Sequence, residues 1–343
     1  MVDGAELVQP SRRPDSDSTA REGFYTGLTT TNEANCSPSE QSDAILQKRD
    51  VVEGQGFGRL GRRVLRMSSF SSVESANWHL TDRCNYSCTF CFMKNLPGIE
   101  ADLSRGKEVI ATLGKMGITK LNFVGGEPLL HPNLKDFAAL ARDGGMTVSI
   151  VTNASLLSRD KLLDLKPSVD WIGVSIDSSR EEIEAALNRG HGRHVWNARR
   201  ACNSIKQEGV KLKINTVVTK LNFDEDMRPL IAELRPLRWK VFQMLVIAGQ
   251  NEEHLSRLAP SKEEFEAFKQ INREVTLESG QLPTFEASDD MVDSYLILAP
   301  DGSVIKNSHH RYEFVPLETV LSSGLSGIVS PSAYHARGAK YEW

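Results

Sequence analysis

From residue 75 onward, short apolar runs return at regular intervals: SANWHL, KLNFVG, TVSIVTN, WIGVSID, KLKINTVV and KVFQMLVI. Runs of this length, rich in β-branched and aromatic residues, predict strands. Between them lie stretches with apolar positions at three- and four-residue spacing, LSRGKEVIATLGKM, NLKDFAALARDGG, HVWNARRACNSIKQEG and DEDMRPLIAELRPL, which predict amphipathic helices. Ser261 opens another, with Glu264 three residues on in a capping-box arrangement. Six strands alternating with helices from 75 to about 275 predict βα units and a parallel sheet. That is fewer than the eight units of a closed barrel, so the expected fold class is α/β, a partial (β/α)6 barrel. A doubly wound open sheet is the alternative that periodicity does not separate from it.

The two ends of the chain read differently. Residues 1–70 are rich in Ser, Thr, Asp, Glu, Asn and Gly with no sustained apolar period, so a disordered or loosely ordered segment is expected. Its basic end, GFGRLGRRVLRMSSF, reads as a linker in preference to a membrane- or partner-binding element. Residues 71–283 form the expected barrel and 284–343 a C-terminal extension. Within the extension, SYLILAPDGSVIKN places two apolar runs about a Pro-Asp-Gly turn, which predicts a β-hairpin, and the chain after it reads as irregular.

Composition narrows the chemistry. The chain has 343 residues, 40% of them hydrophobic, and a net charge of −4, so bulk electrostatics do not point to nucleic acid or a membrane surface. An anionic ligand would have to be met by local basic clusters. Apolar runs such as 241–248 are far too short to span a bilayer. The first residues lack the basic-then-apolar order of a signal peptide, so a cytoplasmic protein is expected. Five cysteines stand at 36, 84, 88, 91 and 202, three of them within eight residues, which suits a metal better than a disulfide framework.

Those three form Cys84-Asn-Tyr-Ser-Cys88-Thr-Phe-Cys91, a CxxxCxxC directly after the first strand. Thiolates suit zinc or iron–sulfur, and a closed site of either kind normally takes four protein ligands. Cys36 lies in the N-terminal segment, and Cys202 sits within an amphipathic helical pattern as a small buried residue. Three thiolates leave one iron of a cluster open; a structural zinc with an unseen fourth ligand is the competing reading. Other polar residues fall at strand ends, where barrels collect functional groups: Asn153 after strand three, Ser175 and Asp177 after strand four, and Asn215 in strand five. Such residues also cap following helices, a reading open for Ser155.

CxxxCxxC after one strand and Gly125-Gly126-Glu127-Pro128 after the next resemble the radical S-adenosylmethionine superfamily. The resemblance implies a [4Fe–4S] cluster on Cys84, Cys88 and Cys91, with S-adenosylmethionine chelated to its open iron. Gly125 and Gly126 would let backbone approach the cofactor's amino group, and Glu127 would complement it. Phe90, Asn153, Ser175, Asp177, Arg189 and Asn215 would line its path, Arg189 reaching carboxylate or ribose unless it is a solvated loop residue.

WHLTDRCNYSCTFCF, KLNFVGGEPLL, VSIVTNASLL, FDEDM, RWKVFQMLVIAGQN, DSYLIL and RGAKYEW together look like the viperin family of nucleotide dehydratases, over about 76–343. That resemblance implies a lyase in which cofactor cleavage yields a 5′-deoxyadenosyl radical. The radical takes the 4′-hydrogen of CTP or UTP, and loss of the 3′-hydroxyl gives a 3′-deoxy-3′,4′-didehydro nucleotide of antiviral type. It implies nucleotide contacts from Asn77, Lys120, Lys213, Arg238 and Lys240, and from Arg311 in the tail. Tyr295 would stand near the ribose and deliver the hydrogen that completes the reduction, a packed core tyrosine being the other reading. An electron donor such as a flavodoxin-type reductase is implied as partner. The amphipathic N-terminal helix of vertebrate members has no counterpart here, and tail differences leave CTP and UTP both open. A radical enzyme acting on another small metabolite or a peptide is the alternative, and it predicts further cysteines for auxiliary clusters.

The residues bear on this independently. A triphosphate needs several Lys or Arg converging in one pocket. Lys120 opens strand two, Lys213 lies in strand five, and Arg238 and Lys240 flank Trp239. Bases within apolar strands are costly unless paired. They either point into the barrel or snorkel to solvent at strand starts.

Overall fold

A computed structural model of the chain describes residues 72–308 and 310–337; the expectations for residues 1–70 and Cys36 lie outside these. The barrel alternates strand and helix: β1 (Ser75–His79), α1 (Leu103–Lys115), β2 (Lys120–Val124), α2 (Leu134–Asp143), β3 (Thr147–Thr152), α3 (Arg159–Leu165) and β4 (Trp171–Ser175). Two helices follow, α4 (Glu181–Ala186) and α5 (His194–Gln207), then β5 (Lys211–Val218), α6 (Arg228–Leu234) and β6 (Arg238–Gln243). β1 to β6 pair in sequence order and all in parallel, as the alternating pattern predicted.

Two faces of each strand divide the work. Ala76 and Trp78 of β1, Leu121 and Phe123 of β2, Leu212 and Ile214 of β5, and Trp239 and Val241 of β6 are buried in the main hydrophobic core. The residues of opposite parity, Asn77 and His79, Lys120 and Asn122, Lys213 and Asn215, and Lys240, line a cavity on the other face. Trp78 stacks on Phe137 of α2 with centroids 5.2 Å apart, and Gly106 of α1 is required beside it, since a Cβ there would come 2.0 Å from the Phe137 ring.

Local signals set the element ends. α6 is shorter than its apolar pattern suggested: Pro229 stands in its first turn, Arg235 caps it in a left-handed conformation (φ 50°), and Pro236 follows. After α7 (Leu255–Leu258), α8 (Lys262–Asn272) begins on the expected capping box of Ser261 and Glu264.

The extension completes the sheet at both edges. β7 (Thr284–Glu286), too short to be legible, adds in parallel to β6. β8 (Leu296–Leu298) adds in parallel to β1 and turns into β9 (Val304–Ser308), giving the expected hairpin with Ile297 opposite Ile305. The stretch expected to be irregular instead carries β10 (Arg311–Val315), α9 (Leu317–Ser323) and α10 (Pro331–Ala336). Among the described residues the result is one open sheet in the order β10-β9-β8-β1-β2-β3-β4-β5-β6-β7. Trp78 Nε1 donates to Ala299 O at 2.9 Å, and the buried Tyr334 of α10 bonds Ser75 Oγ at 2.9 Å, so the extension is tied to β1.

The Trp78–Phe137 stack joins the first strand to the helical layer. Phe137→Ala should lower unfolding free energy by about 3–5 kcal/mol, read from urea denaturation, and a loss below about 1 kcal/mol would contradict this packing.

Candidate active site

The cavity has a volume of about 570 Å³, within the range of ligand pockets, and its lining runs from strand starts (Ser75, Lys120) to strand ends (Asn153, Ser175). At one end lies the loop from β1 that carries the cysteines, and Cys84, Cys88 and Cys91 all line the cavity. Hydrogen bonds hold this loop from several sides. Thr89 N donates to Leu187 O at 3.0 Å and Asn251 Nδ2 to Phe90 O at 2.8 Å. Arg83 grips Glu100 through two bonds of 2.7 Å.

Gly125 and Gly126 line the cavity, but what excludes a side chain there is the cysteine loop itself. A Cβ on Gly126 would lie 2.1 Å from Arg83 O, and one on Gly125 2.7 Å from Thr81 O. Bonds of 2.6 Å from Gly126 N to Thr81 O and 2.9 Å from Glu127 N to Arg83 O clamp the two loops together. Glu127 departs from its expected position. Its carboxylate is fully buried and takes Thr152 Oγ1 at 2.7 Å, Asn153 N at 2.8 Å and Leu129 N at 3.1 Å, so it ties β3 to the glycine loop and does not line the cavity.

Phe90, Asn153, Ser175, Asp177, Arg189 and Asn215, which the resemblance assigned to the cofactor, line the same cavity as the thiols. Arg189 is not a solvated loop residue. Its guanidinium is buried, pairs with Asp177 at 2.5 Å and Glu184 at 3.7 Å, and lies 5.1 Å over the Phe90 ring. Burial, together with the adjacent Asp177 charge, pushes Glu184 up to about 8. Ser155 does not cap a helix; its hydroxyl donates to Asn153 Oδ1 at 2.6 Å and accepts from Asn85 Nδ2 at 2.8 Å, while Ser158 caps α3. Cys202, on the buried face of α5, lies in the core and is not among the residues lining the cavity.

The same cavity is also lined by bases. Lys120, Lys213 and Lys240 line it, and each is buried. Gly173 makes room for Lys213, whose Cε would lie 2.8 Å from a Cβ at that position. Arg238 is buried two residues before Lys240 on the same side of β6 but is not among the lining residues. Arg311 departs from expectation: it is exposed on β10 and does not reach the cavity. Arg337 does so instead, with its guanidinium carbon 3.6 Å from the Tyr295 ring centroid and Nε donating to Ser294 O at 2.7 Å.

Burial, with mutual repulsion added, pushes the lysines down from the usual 10.5, to about 5 for Lys120 and about 7 for Lys213. Lys240 falls to about 8, the Glu286 carboxylate partly offsetting its desolvation. Lys240 pairs with Glu286, donates to Tyr295 OH at 3.1 Å, and Tyr295 OH donates in turn to Glu286.

Sequence reasoning missed Glu286, Arg337, His79 and Asn122. Arg337 stood inside the quoted RGAKYEW, and Glu286 was an acid in the apolar run TFE, a signal of the kind that singled out the lysines. His79 also lines the cavity; burial pushes it down to about 4, a hydrogen bond with the Gly125 backbone offsetting part of this.

Three thiols on one loop fit a cluster with an open iron. Among the described residues no three His, Cys, Asp or Glu converge tightly enough for a single metal ion.

Comparison with known proteins agrees with this geometry. The model of the radical SAM superfamily matches residues 78–234. An S-adenosylmethionine-dependent nucleotide dehydratase of Thermoplasmatales archaeon (strain ISO4-H5) is 33% identical over 276 residues, 80% of this chain and 98% of the relative. One from Flammeovirga pacifica is 32% identical, covering 81% and 98%, and the RSAD2 enzyme of Siniperca chuatsi is 33% identical, covering 78% and 79%. Streptococcus suis SuiB bound to S-adenosylmethionine shares the fold with a TM-score of 0.55 and 15% identity, over 68% of this chain and 59% of SuiB.

Fold and site thus define a radical SAM enzyme, built on a [4Fe–4S] cluster and S-adenosylmethionine. Within that class the chain belongs to the S-adenosylmethionine-dependent nucleotide dehydratases, the viperin-like family its motifs resembled. No described helix is long and apolar enough to cross a membrane.

The depressed lysines make stability depend on pH. Each is harder to protonate in the folded than in the unfolded chain, so stability should fall as pH drops from about 10.5 and level off near 5. Lys213→Met should therefore raise the melting temperature most below pH 7, with the gain shrinking toward pH 10.5. An equal gain at both ends would show that Lys213 does not carry a desolvated charge.

Proposed function

We propose that the enzyme converts a pyrimidine ribonucleoside triphosphate, CTP or UTP, to its 3′-deoxy-3′,4′-didehydro analogue. The convergence of Lys120, Lys213, Lys240 and Arg337 on one wall of a cavity whose other end holds three thiols carries the reading. A polyanion seated there would replace the solvation these bases lose on burial. Asn77 and Asn122, joined by a 2.9 Å hydrogen bond, would meet the sugar, and Arg238, buried in β6, would add its charge to that of the lysines around the phosphates.

Cys84, Cys88 and Cys91 would hold the cluster, and the loops around Gly125, Asn153 and Asp177 the S-adenosylmethionine. When bound, the pair supplies the species that takes a hydrogen atom from the nucleotide. Removing the 4′ hydrogen atom and the 3′ hydroxide leaves the sugar one electron short, and the hydroxide needs a proton to depart as water. The Tyr295 O–H holds one electron and one proton, which is what these two require. A one-electron carrier of the flavodoxin type, drawing a proton from water, would restore the tyrosine as well as reduce the cluster. Free thiols and a reducible cluster suit the reducing cytoplasm.

Anaerobic turnover with dithionite and each of the four ribonucleoside triphosphates tests the substrate class. CTP or UTP should raise 5′-deoxyadenosine formation and yield a nucleotide lighter by one water, and CMP or UMP should not. Lys213→Ala should raise the nucleotide KM by at least about tenfold with iron content unchanged, the equivalent of one lost charge-assisted contact. Equal turnover with mono- and triphosphates, or an unmoved KM, would contradict the triphosphate reading.

A further inference from the structure

Glu286 is the residue that neither the sequence pattern nor the proposed chemistry accounts for. A carboxylate with no solvent exposure stands at the end of β7, the short strand added to the barrel at the β6 edge. In register it faces Phe242, yet its side chain reaches back to Lys240 and across to Tyr295. These three side chains form a closed ring of contacts: ammonium to carboxylate, phenol to carboxylate, and ammonium to phenol oxygen at 3.1 Å. The phenol ring is also braced from outside, with Arg337 at 3.6 Å and the Lys240 ammonium at 5.5 Å from its centroid.

The ring constrains the hydrogen of Tyr295. Its oxygen accepts from Lys240, and its own O–H is turned to Glu286. A phenol held this way has one orientation, and both the charge of Lys240 and the direction of that O–H depend on the same carboxylate. We propose that Glu286 is a positioning residue of the reaction: it keeps Lys240 charged before nucleotide arrives and fixes the Tyr295 hydroxyl that closes the reaction. The assignment rests on the nucleotide dehydratase reading of the cavity and adds a residue that touches neither phosphate nor cofactor.

Two consequences separate this role from simple packing. The groups facing Lys240 are Glu286 from β7, Tyr295 before β8, Arg337 after α10, Arg238 on its own strand, Lys213 from β5 and Lys120 from β2. Of these only Glu286 holds the ammonium charge up. In Glu286→Gln, Lys240 should lose its proton in the nucleotide-free enzyme and regain it when CTP binds. Near pH 8 proton uptake on binding should therefore rise by about half a proton, because Lys240 in the unmodified enzyme titrates near 8. Calorimetric titration of CTP in two buffers of different ionisation enthalpy reads this number without any turnover.

The second consequence concerns commitment. With the Tyr295 hydroxyl released, 5′-deoxyadenosine should form in excess of nucleotide product, and Tyr295→Phe should show the same excess. Glu286→Asp keeps the charge but shortens the reach, so it should restore proton uptake and leave the product ratio impaired. Unchanged proton uptake or an unchanged product ratio in Glu286→Gln overturns the assignment. Should that variant not fold, a Glu286→Asp product ratio equal to the unmodified enzyme's overturns it equally. A flat titration of the unmodified holoenzyme with both CTP and UTP removes the nucleotide reading, and this assignment with it, before any variant is considered.

Discussion

Like charges held together out of water are the constraint on which this structure turns. Lys120, Lys213, Lys240, Arg238 and Arg337 are all buried around one side of the barrel interior. Desolvation and repulsion both work against them, as the depressed lysines record. The fold tolerates this because the opposite face of the same strands is apolar. Trp78, Phe123, Ile214 and Trp239 pack there against the helical layer, and that burial supplies the stability the interior lacks. Glu286 offsets part of the penalty at Lys240, and by its charge at Lys213 as well. Under the proposed function a bound polyanion would offset the desolvation and repulsion that depress these lysines.

The other end of the cavity is built on different physics. There the chain brings two loops into backbone contact, and Gly125 and Gly126 are required by the close approach of Thr81 and Arg83. Glu127 locks that pair of loops to β3 from below. Asp177, Glu184 and Arg189 neutralise one another beside Cys88, so this end presents thiols, amides and an aromatic ring in place of net charge. Under the proposed function a zwitterionic cofactor and a highly charged nucleotide would take separate places in one cavity that His79 and Asn77 also line.

Much of this was legible because side-chain period carries geometry. The alternation in KLNFV, KLKIN and RWKVF separates the outward apolar set from the inward bases, and the spacing of CxxxCxxC and GGEP fixes which strand ends face each other. What stayed hidden depends on distance in sequence. β7 has three residues and no period to read, so Glu286 gave no sign of meeting Lys240. Arg311 and Arg337 look equivalent as basic tail residues, and only the β9–β10 hairpin decides that the first faces outward and the second returns to Tyr295. The hydrogen bonds of Glu127 were equally out of reach of the sequence. A carboxylate beside a cavity reads as a ligand until its three donors are seen to come from the protein itself.

The central claim is that the cavity holds a nucleotide with its ribose facing the cysteine loop and its phosphates among the lysines. Turnover of CTP and of UTP, each carrying deuterium at the 4′ position, tests it most directly, with the 5′-deoxyadenosine analysed by mass spectrometry. The account predicts that, with the nucleotide the enzyme uses, a deuterium atom appears in 5′-deoxyadenosine and is missing from the dehydrated product. Turnover that leaves the label on the nucleotide, or places none in 5′-deoxyadenosine, would contradict it.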